Sequence, residues 1–238
     1  MSRSTRIDKI KMTKIANIIT EAQVAELNAE FRELDFGDRI RRLYDYFPVE
    51  EVLFTSSFGT KSVVMLYLVS LGNPRQAVTM LNTGYHFPET LAYRQTLAEL
   101  TGLPMREVKP REDRHELTRT TEMWKQNSSR CCHYNKVLPL REVKAQHRVW
   151  MSGVHAYQTM NRKGMDIWEL VDGLLHFHPL IDISEGDFLY LLEKNKLPRH
   201  PLEALGYGSI GCTHCTQPGT GRSGRWADKD KDECGLHL

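Results

Sequence analysis

Between residues 52 and 108 the sequence alternates short apolar runs with helical segments, and this alternation constrains the fold more than any other feature. Residues 52–55, 77–81 and 105–108 have the composition of buried strands. The stretches between them, residues 63–70 and the segment that Pro88 opens, have helical character. Strands that alternate with helices predict an α/β fold, in which helices cover both faces of a parallel twisted sheet.

We predict three regions along the 238 residues. Residues 1–48 form an N-terminal helical segment packed on the main domain, since apolar residues recur there at helical spacing: Ile15, Ile18, Ile19, Val24, Leu27 and Phe31. Residues 49–205 form a nucleotide-binding α/β domain. Residues 206–238 have little hydrophobic periodicity and are expected to form a flexible tail.

Within the second half of the main domain we expect four further features. They are a mostly helical stretch at 111–147, a strand at 148–152, a strand pair within 173–181, and a helix at 183–195 that Ser184 caps.

Charge and hydropathy narrow the functional classes. A formal net charge of +2 does not suggest a nucleic-acid partner. No apolar run of about 18 residues is present, so we expect no membrane span. The basic N-terminus lacks the apolar core of a signal peptide, and we expect a cytoplasmic protein. Thiols stay reduced there, so clustered cysteines favour metal binding or catalysis over structural disulfides.

The turn after the first strand is the first candidate site. Small residues there let a ligand approach the backbone, and the following helix presents free N–H groups to an anion such as phosphate or sulfate. The spacing does not match a Walker A loop. An ordinary strand–helix turn is about as plausible from the pattern alone. The residues are Ser56, Ser57, Phe58, Gly59, Thr60, Lys61 and Ser62.

The loop after the second strand is expected to lie beside this turn, because ligands bind outside the carboxyl ends of parallel strands. Its candidate residues are Asn82, Thr83 and Gly84. Tyr85 or Phe87 could pack against a base, although both are more often core residues.

The five cysteines divide into two groups. Cys131 and Cys132 are adjacent, and Cys212 and Cys215 form a CxxC pair. Two close pairs favour ligation by all four thiolates, to zinc or to a 4Fe–4S cluster, and adjacent cysteines are unusual for structural zinc. His133 and His214 flank the pairs and are alternative ligands, although surface or supporting positions suit them better.

The fifth cysteine, Cys234, lies alone near the C-terminus. A cysteine beside glycine on a tail can enter and leave a site, and nearby cations such as Arg222, Arg225 or His237 would favour its thiolate. An incidental cysteine is the competing interpretation, and the two upstream arginines weigh against it.

Together these motifs resemble the assimilatory adenylylsulfate and phosphoadenylylsulfate reductases, which have an adenine nucleotide alpha hydrolase-like fold. The resemblance covers about residues 50–238. It rests on five motifs: SSFGTKS, NTGYHFPET, CCHYNKVLPL, GCTHCT and GRWADKDKDECGLH. Members with both cysteine pairs belong to the cluster-containing branch, usually specific for adenylylsulfate.

The resemblance implies a role for each motif. The first two would bind the nucleotide, with Ser57, Gly59, Thr83 and Gly84 closest to it. Cys131, Cys132, Cys212 and Cys215 would bind a 4Fe–4S cluster that tunes electrostatics and carries no electrons. Lys136 would lie between cluster and sulfate. Arg222 and Arg225 would close over the phosphosulfate, and Cys234 would attack the sulfur to form S-sulfocysteine. Thioredoxin or glutaredoxin would then release sulfite, and a homo-oligomer is expected.

One loop departs from the family pattern. After the strand near residue 152 the family has Gly-x-Arg-Arg-x-Gln-Ser-x-x-Arg, and this chain keeps Gln158 and Arg162 but has His155 and Ala156 in place of the paired arginines. Each lost charge-assisted hydrogen bond is worth roughly 1.5–3 kcal/mol. This departure leaves two alternatives: a different substrate, or replacement of the missing cations by Lys61.

Three other functions compete with reduction of adenylylsulfate. The nearest is the same reaction on 3′-phosphoadenylylsulfate. A second is an ATP-dependent sulfurtransferase, which would need an SGGxDS-type loop that Phe58 and Lys61 disrupt. A third is an iron–sulfur or zinc redox sensor, which would have no use for Cys234.

Overall fold

A computed structural model describes residues 20–227, 229 and 231–237. The predicted helical positions Ile15, Ile18 and Ile19 lie outside the described residues. The helices are α1 (Glu21–Arg32), α2 (Phe36–Tyr46), α3 (Ser62–Gly72), α4 (Pro88–Thr101), α5 (Glu112–Thr120), α6 (Met123–Gln126), α7 (Ser128–Cys132), α8 (Leu138–Lys144) and α9 (Glu185–Lys194). The strands are β1 (Val52–Thr55), β2 (Val78–Leu81), β3 (Met105–Val108), β4 (Val149–Ser152), β5 (Trp168–Val171) and β6 (Leu174–Phe177). None of the described helices is both long and apolar enough to cross a membrane.

The six strands form one sheet in the order β3-β2-β1-β4-β6-β5. All neighbours are parallel except β5 and β6, which are antiparallel. The chain builds outward from β1 to β3, then returns to place β4 on the other side of β1. The order of the sheet therefore reverses between β1 and β4, and a crevice opens there at the carboxyl ends of the strands. The predicted α/β fold is confirmed.

Both faces of the sheet are buried. Successive side chains of a strand point to opposite faces, so each strand contributes to both cores. On one face, Phe54, Met80 and Met151 belong to the main core together with the apolar helix α3. On the other, Leu53 and Trp150 pack with Leu140 of α8. The helices on both faces leave the carboxyl edge of the sheet as the place where loops can meet.

The predicted strand pair within 173–181 needs correction. The hairpin instead joins β5 to β6 through Asp172 and Gly173, so its first strand precedes Gly173. Both turn residues have positive φ, 51° and 78°. Two consecutive residues of positive φ match the twist of an antiparallel pair, and Asp-Gly is a preferred sequence for that turn.

The polar stretch at 111–147 is mostly helical, as predicted, but it is divided into short segments. A π-helical turn, His133–Val137, separates α7 from α8. Pro139 lies in the first turn of α8, where its missing N–H costs little. This broken geometry places Cys131 and Cys132 before the turn and Lys136 within it.

Asn28 joins the N-terminal helix α1 to the edge strand β5. Its side-chain amide donates to the carbonyl of Trp168 at 2.9 Å and accepts from the Trp168 N–H at 2.8 Å. Asn28 is buried, and Trp168 stacks on Phe177 in the core. The amide therefore satisfies two backbone groups of an edge strand that would otherwise be buried without partners.

Replacing Asn28 by alanine should lower the free energy of unfolding by about 2–4 kcal/mol, because both backbone groups of Trp168 lose their partner. Urea denaturation followed by circular dichroism measures this change. Gln95→Ala, which removes an exposed amide on α4, is the matched control and should be nearly neutral. Equal stability of the two variants would contradict the role of Asn28.

Candidate active site

A pocket lies at the carboxyl edge of the sheet, where β1 and β4 diverge. Thr55 and Ser152 are in register at the ends of these strands, and both line it. The turn after β1 contributes six predicted residues to its wall: Ser56, Ser57, Gly59, Thr60, Lys61 and Ser62. The N-terminus of α3 therefore faces the pocket and offers its unpaired N–H groups to an anion.

The Phe58 side chain, unlike its neighbours in the turn, does not line the pocket. Its side chain is fully buried in the main core, and its φ is 51°. Left-handed backbone is unfavourable for a bulky residue, so the buried ring holds the turn in a strained conformation. Thr60 adds a hydrogen bond to the carbonyl of Gly208 at 3.0 Å, which joins the turn to the C-terminal segment.

The loop after β2 does not line the pocket where it was expected to. Asn82, Thr83 and Gly84 are absent from the wall of this pocket, as are Tyr85 and Phe87, while Leu81 and His86 belong to it. Thr83 instead lies 3.4 Å from the sulfur of Cys212. Gly84 has a φ of 73° and lies against the His115 ring. The loop turns toward the cysteines because Thr213 donates to the carbonyl of Tyr85.

The pocket is strongly cationic. Among the residues that the structure describes, one carboxylate, that of Glu233, lines it. Five basic side chains also line it: Lys61, Lys136, Arg162, Arg222 and Arg225. Arg225 is buried, donates to the carbonyl of Ile210 at 3.2 Å and lies over the Trp226 ring. Such an excess of fixed positive charge suits a ligand with several negative charges.

Glu233 neutralises two of these cations. Its carboxylate lies 2.7 Å from Nε of Arg162 and 3.4 Å from Nη2 of Arg222. The Glu233 side chain is 2% exposed and that of Arg162 is 9% exposed. Gln158 accepts a hydrogen bond from Arg162. The tail therefore lies over the pocket with its own carboxylate at two of the pocket arginines.

The same tail brings Cys234 and His237 to the pocket. The His237 ring stacks on Trp150 at 4.5 Å between centroids. Burial, together with His178 and Arg162, lowers the pKa of His237 well below its usual value. His237 is therefore neutral near pH 7, which corrects the expectation that it is one of the cations favouring the Cys234 thiolate.

The four paired cysteines meet next to the pocket. Cys131 and Cys212 pack with Tyr85, Met123 and Trp124, and Cys215 lies at the edge of that cluster. Asn135 lies 3.6 Å from the sulfur of Cys131. The flanking histidines are not placed as ligands, since His133 is exposed and His214 stacks on Trp124 at 3.9 Å.

Electrostatics couple these thiols to one another and to the pocket. Burial and the neighbouring sulfurs raise the pKa of Cys131 to about 12. For Cys212 burial acts in the same direction, but the Lys136 ammonium and the Thr83 hydroxyl outweigh it and lower the pKa. Burial alone would lower the pKa of Lys136, but Cys212, Cys234 and Cys132 raise it. Lys136 thus stays charged between the cysteine pairs and Cys234.

The loop after β4 has His155 and Ala156 where the family pattern has paired arginines, and neither residue supplies a positive charge. His155 is fully buried, and burial together with Lys61 and Arg162 lowers its pKa to about 3. Its Nδ1 is hydrogen-bonded to Tyr157 at 3.1 Å. Lys61 lines the pocket, but its ammonium also lies 3.6 Å from Glu185 and over the Phe188 ring.

Several pocket residues were not predicted from the sequence. Glu233 and Trp150 are the most important, and the segment Ser209, Ile210 and Gly211 also lines the wall. A Cβ on Gly211 would overlap the Arg225 guanidinium, so a side chain there would require that guanidinium to move. The position of this segment directly before Cys212 was a usable signal.

The fold and site define an α/β protein that has a cationic pocket at a topological switch point and a tail cysteine beside it. Residues 51–218 match the family model described as the phosphoadenosine phosphosulfate reductase domain. The chain belongs to this family, as the sequence motifs indicated.

Curated relatives are similar over most of their length. The chain is 34% identical over 223 residues to the adenosine 5′-phosphosulfate reductase of Mesorhizobium japonicum, covering 91% of this chain and 88% of that one. The enzyme of the same name from Geobacillus kaustophilus is 34% identical over 201 residues, covering 79% and 84%. Phosphoadenylyl-sulfate reductase from Candida auris, in a phosphate complex, shares the fold with a TM-score of 0.72 at 22% identity, covering 84% and 98%.

Glu233→Gln should release the tail in the absence of a ligand. Breaking a buried ion pair costs about 3–5 kcal/mol, and even half of that shifts the closed-to-open ratio more than tenfold. We expect tryptic cleavage after Lys229 and Lys231 to accelerate at least about tenfold.

Asp232→Asn is the matched control. The Asp232 carboxylate is exposed, and its one hydrogen bond within the described part of the chain is accepted from Asn161 at 3.4 Å. Cleavage of this variant should match the wild type. Identical cleavage rates in the Glu233 and Asp232 variants would show that the ion pair does not hold the tail.

Proposed function

We propose that this protein is a thiol-dependent adenylylsulfate reductase that forms sulfite and AMP. The observation that carries the proposal is the position of Cys234, a lone thiol on a tail that lies in a pocket lined by five cations. Family membership and the adenosine 5′-phosphosulfate reductases among its relatives support the same activity. Neither an ATP-dependent sulfurtransferase nor an iron–sulfur or zinc redox sensor would explain a tail cysteine in such a pocket.

The proposed chemistry has three steps. The Cys234 thiolate attacks the sulfate sulfur, the bond from that sulfur to the bridging oxygen breaks, and AMP leaves with the electron pair. A thiolate of a thioredoxin-type dithiol then attacks Sγ of the S-sulfocysteine, and sulfite leaves. The second thiol of the reductant resolves the mixed disulfide, so the dithiol supplies both electrons. Cys234 returns to its starting state.

The basic residues of the pocket have the role that this chemistry needs. An anion attacks an anionic group in the first step, so fixed cations must offset the repulsion. We assign Lys136 to the sulfate, since Cys234 is among the groups that raise the pKa of its ammonium. We assign the phosphosulfate to Arg162, Arg222 and Arg225, and the turn from Ser56 to Ser62 to the nucleotide. Substrate binding then requires Glu233 to leave the arginines.

The cysteine pairs fit a 4Fe–4S cluster held by Cys131, Cys132, Cys212 and Cys215. They are buried or half-buried thiols, and Asn135 and Thr83 lie within hydrogen-bond reach of two of the sulfurs. Around a single zinc, sulfurs would lie about 3.8 Å apart. In the described part of the chain, one group of three or more histidine, cysteine or acidic residues has its ligand atoms within 4.8 Å of one another. No cysteine belongs to that group. A cluster would supply electrostatic tuning next to Lys136.

The choice between substrates rests on the relatives. Those at 34–35% identity carry the name adenosine 5′-phosphosulfate reductase, whereas the solved phosphoadenylyl-sulfate reductase is 22% identical. Adenylylsulfate is therefore the first candidate and 3′-phosphoadenylylsulfate the second. Lys61 is the basic residue that we propose to offset the missing arginine pair. A cytoplasmic location, a thioredoxin or glutaredoxin partner and a homo-oligomer remain part of the proposal.

Cys234→Ser should abolish sulfite release, with a loss of roughly a thousandfold or more, because the nucleophile is removed. Incubating wild type with adenylylsulfate and no reductant should add one SO₃ group to Cys234, detected by peptide mass spectrometry. Parallel assays with 3′-phosphoadenylylsulfate identify the preferred substrate. Sulfite release by the serine variant at the wild-type rate would rule out the mechanism.

Anaerobically purified protein should contain about four irons and four acid-labile sulfides per chain. Cys131→Ser and Cys212→Ser should each lose most of both, because a thiolate ligand is missing. Cys234→Ser is the matched control and should keep the full content. Zinc without sulfide in the wild type would replace the cluster by a zinc site.

A further inference from the structure

A second group of metal-type ligands lies under α8, and no cysteine belongs to it. The ligand atoms of Glu169, His176 and His178 lie within 4.8 Å of one another. The His-Phe-His sequence places both imidazoles on one face, since side chains of a strand alternate. Glu169 of β5 pairs directly with His176 of β6, so its carboxylate projects from that same face.

The surroundings of His178 and Glu169 leave both side chains available to bind an ion. His178 is 0% exposed, and its Nε2 has no hydrogen-bond partner within bonding geometry although Glu169 lies 3.3 Å away. Its other nitrogen, Nδ1, is 2.9 Å from the hydroxyl of Ser152. Ligating histidines commonly have their second ring nitrogen fixed in this way. Glu169 is 28% exposed and gives solvent access from one side.

His176 is held by a basic neighbour. Its Nε2 lies 2.9 Å from Nζ of Lys144, which leaves Nδ1 as the ring nitrogen available to an ion. The ring of Trp150 meets that of His176 edge to face at 4.7 Å and forms an apolar wall.

We propose that Glu169, His176 and His178 bind one divalent transition-metal ion, Zn²⁺ being the best match. Two imidazoles and one carboxylate are a common zinc ligand set, with water as the fourth ligand on the exposed side of Glu169. The ion would join β5 to β6 behind the pocket wall that Trp150 and Ser152 form. This site is separate from the cysteine pairs and does not depend on the proposed reduction.

Equilibrium dialysis of the full chain against Zn²⁺ tests the site. We expect one zinc per chain beyond the metal held by the cysteines. Glu169→Gln and His178→Asn should weaken its binding at least about a hundredfold, and Ser152→Ala about tenfold or more. His147→Asn, which removes a half-buried imidazole outside the group, is the control and should bind as the wild type does.

Cobalt reports the ligand type independently of stoichiometry. Co²⁺ at this site should give visible d–d bands without the thiolate charge-transfer band that cysteine ligands produce. A zinc-dependent rise in melting temperature, present in wild type and absent in the nearly isosteric Glu169→Gln, guards against misfolding of the histidine variant. Unchanged zinc affinity in both ligand variants would overturn the proposal, as would a zinc or cobalt signal lost only with Cys131→Ser.

Discussion

The parallel pairing of β1 with β4 is the constraint on which the site depends. It sets Thr55 opposite Ser152, so that the loops after both strands leave the sheet at one point. Since β2 and β3 lie on one side of this pair and β6 on the other, the loops diverge and leave a crevice. A shift of one residue in this register would exchange the faces of Leu53 and Phe54, which belong to different cores. Packing on both faces therefore fixes the position of the pocket.

The arrangement of charge is the second feature on which the site depends. For Lys136, the local backbone conformation determines where that charge lies. The π-helical turn His133–Val137 presents this lysine directly after the adjacent cysteines. Its ammonium depresses the pKa of Cys212 and is itself held charged by Cys132 and Cys234. Two regions far apart in sequence, near residues 132 and 234, thus meet through one cation. In the proposed reaction this geometry places positive charge where the nucleophile and the sulfate must approach each other.

Periodicity alone predicted most of the fold, because buried parallel strands and apolar helices leave strong local patterns. The ends of β1 and β3 and the cap at Ser184 agree with the structure. The hairpin at Asp172 was misplaced, although Asp-Gly is a local signal for that turn. The site was harder to predict, since Glu233 and Trp150 acquire their roles only when the tail folds over the sheet. Likewise the Phe58 side chain lies in the core although the residue stands in a turn of small residues, and its backbone has a positive φ.

The position of Glu233 implies an order for events at the pocket. With the tail closed, its carboxylate compensates Arg162 and Arg222, which would otherwise be buried with unpaired charges. In the proposed reaction the phosphosulfate binds the same two guanidinium groups, so the ligand and Glu233 compete for them. Cys234 is the next residue, and any displacement of Glu233 moves the thiol as well. Binding of the anion and positioning of the nucleophile are therefore linked through one ion pair, and the tail carries both the competitor for the site and the group that reacts in it.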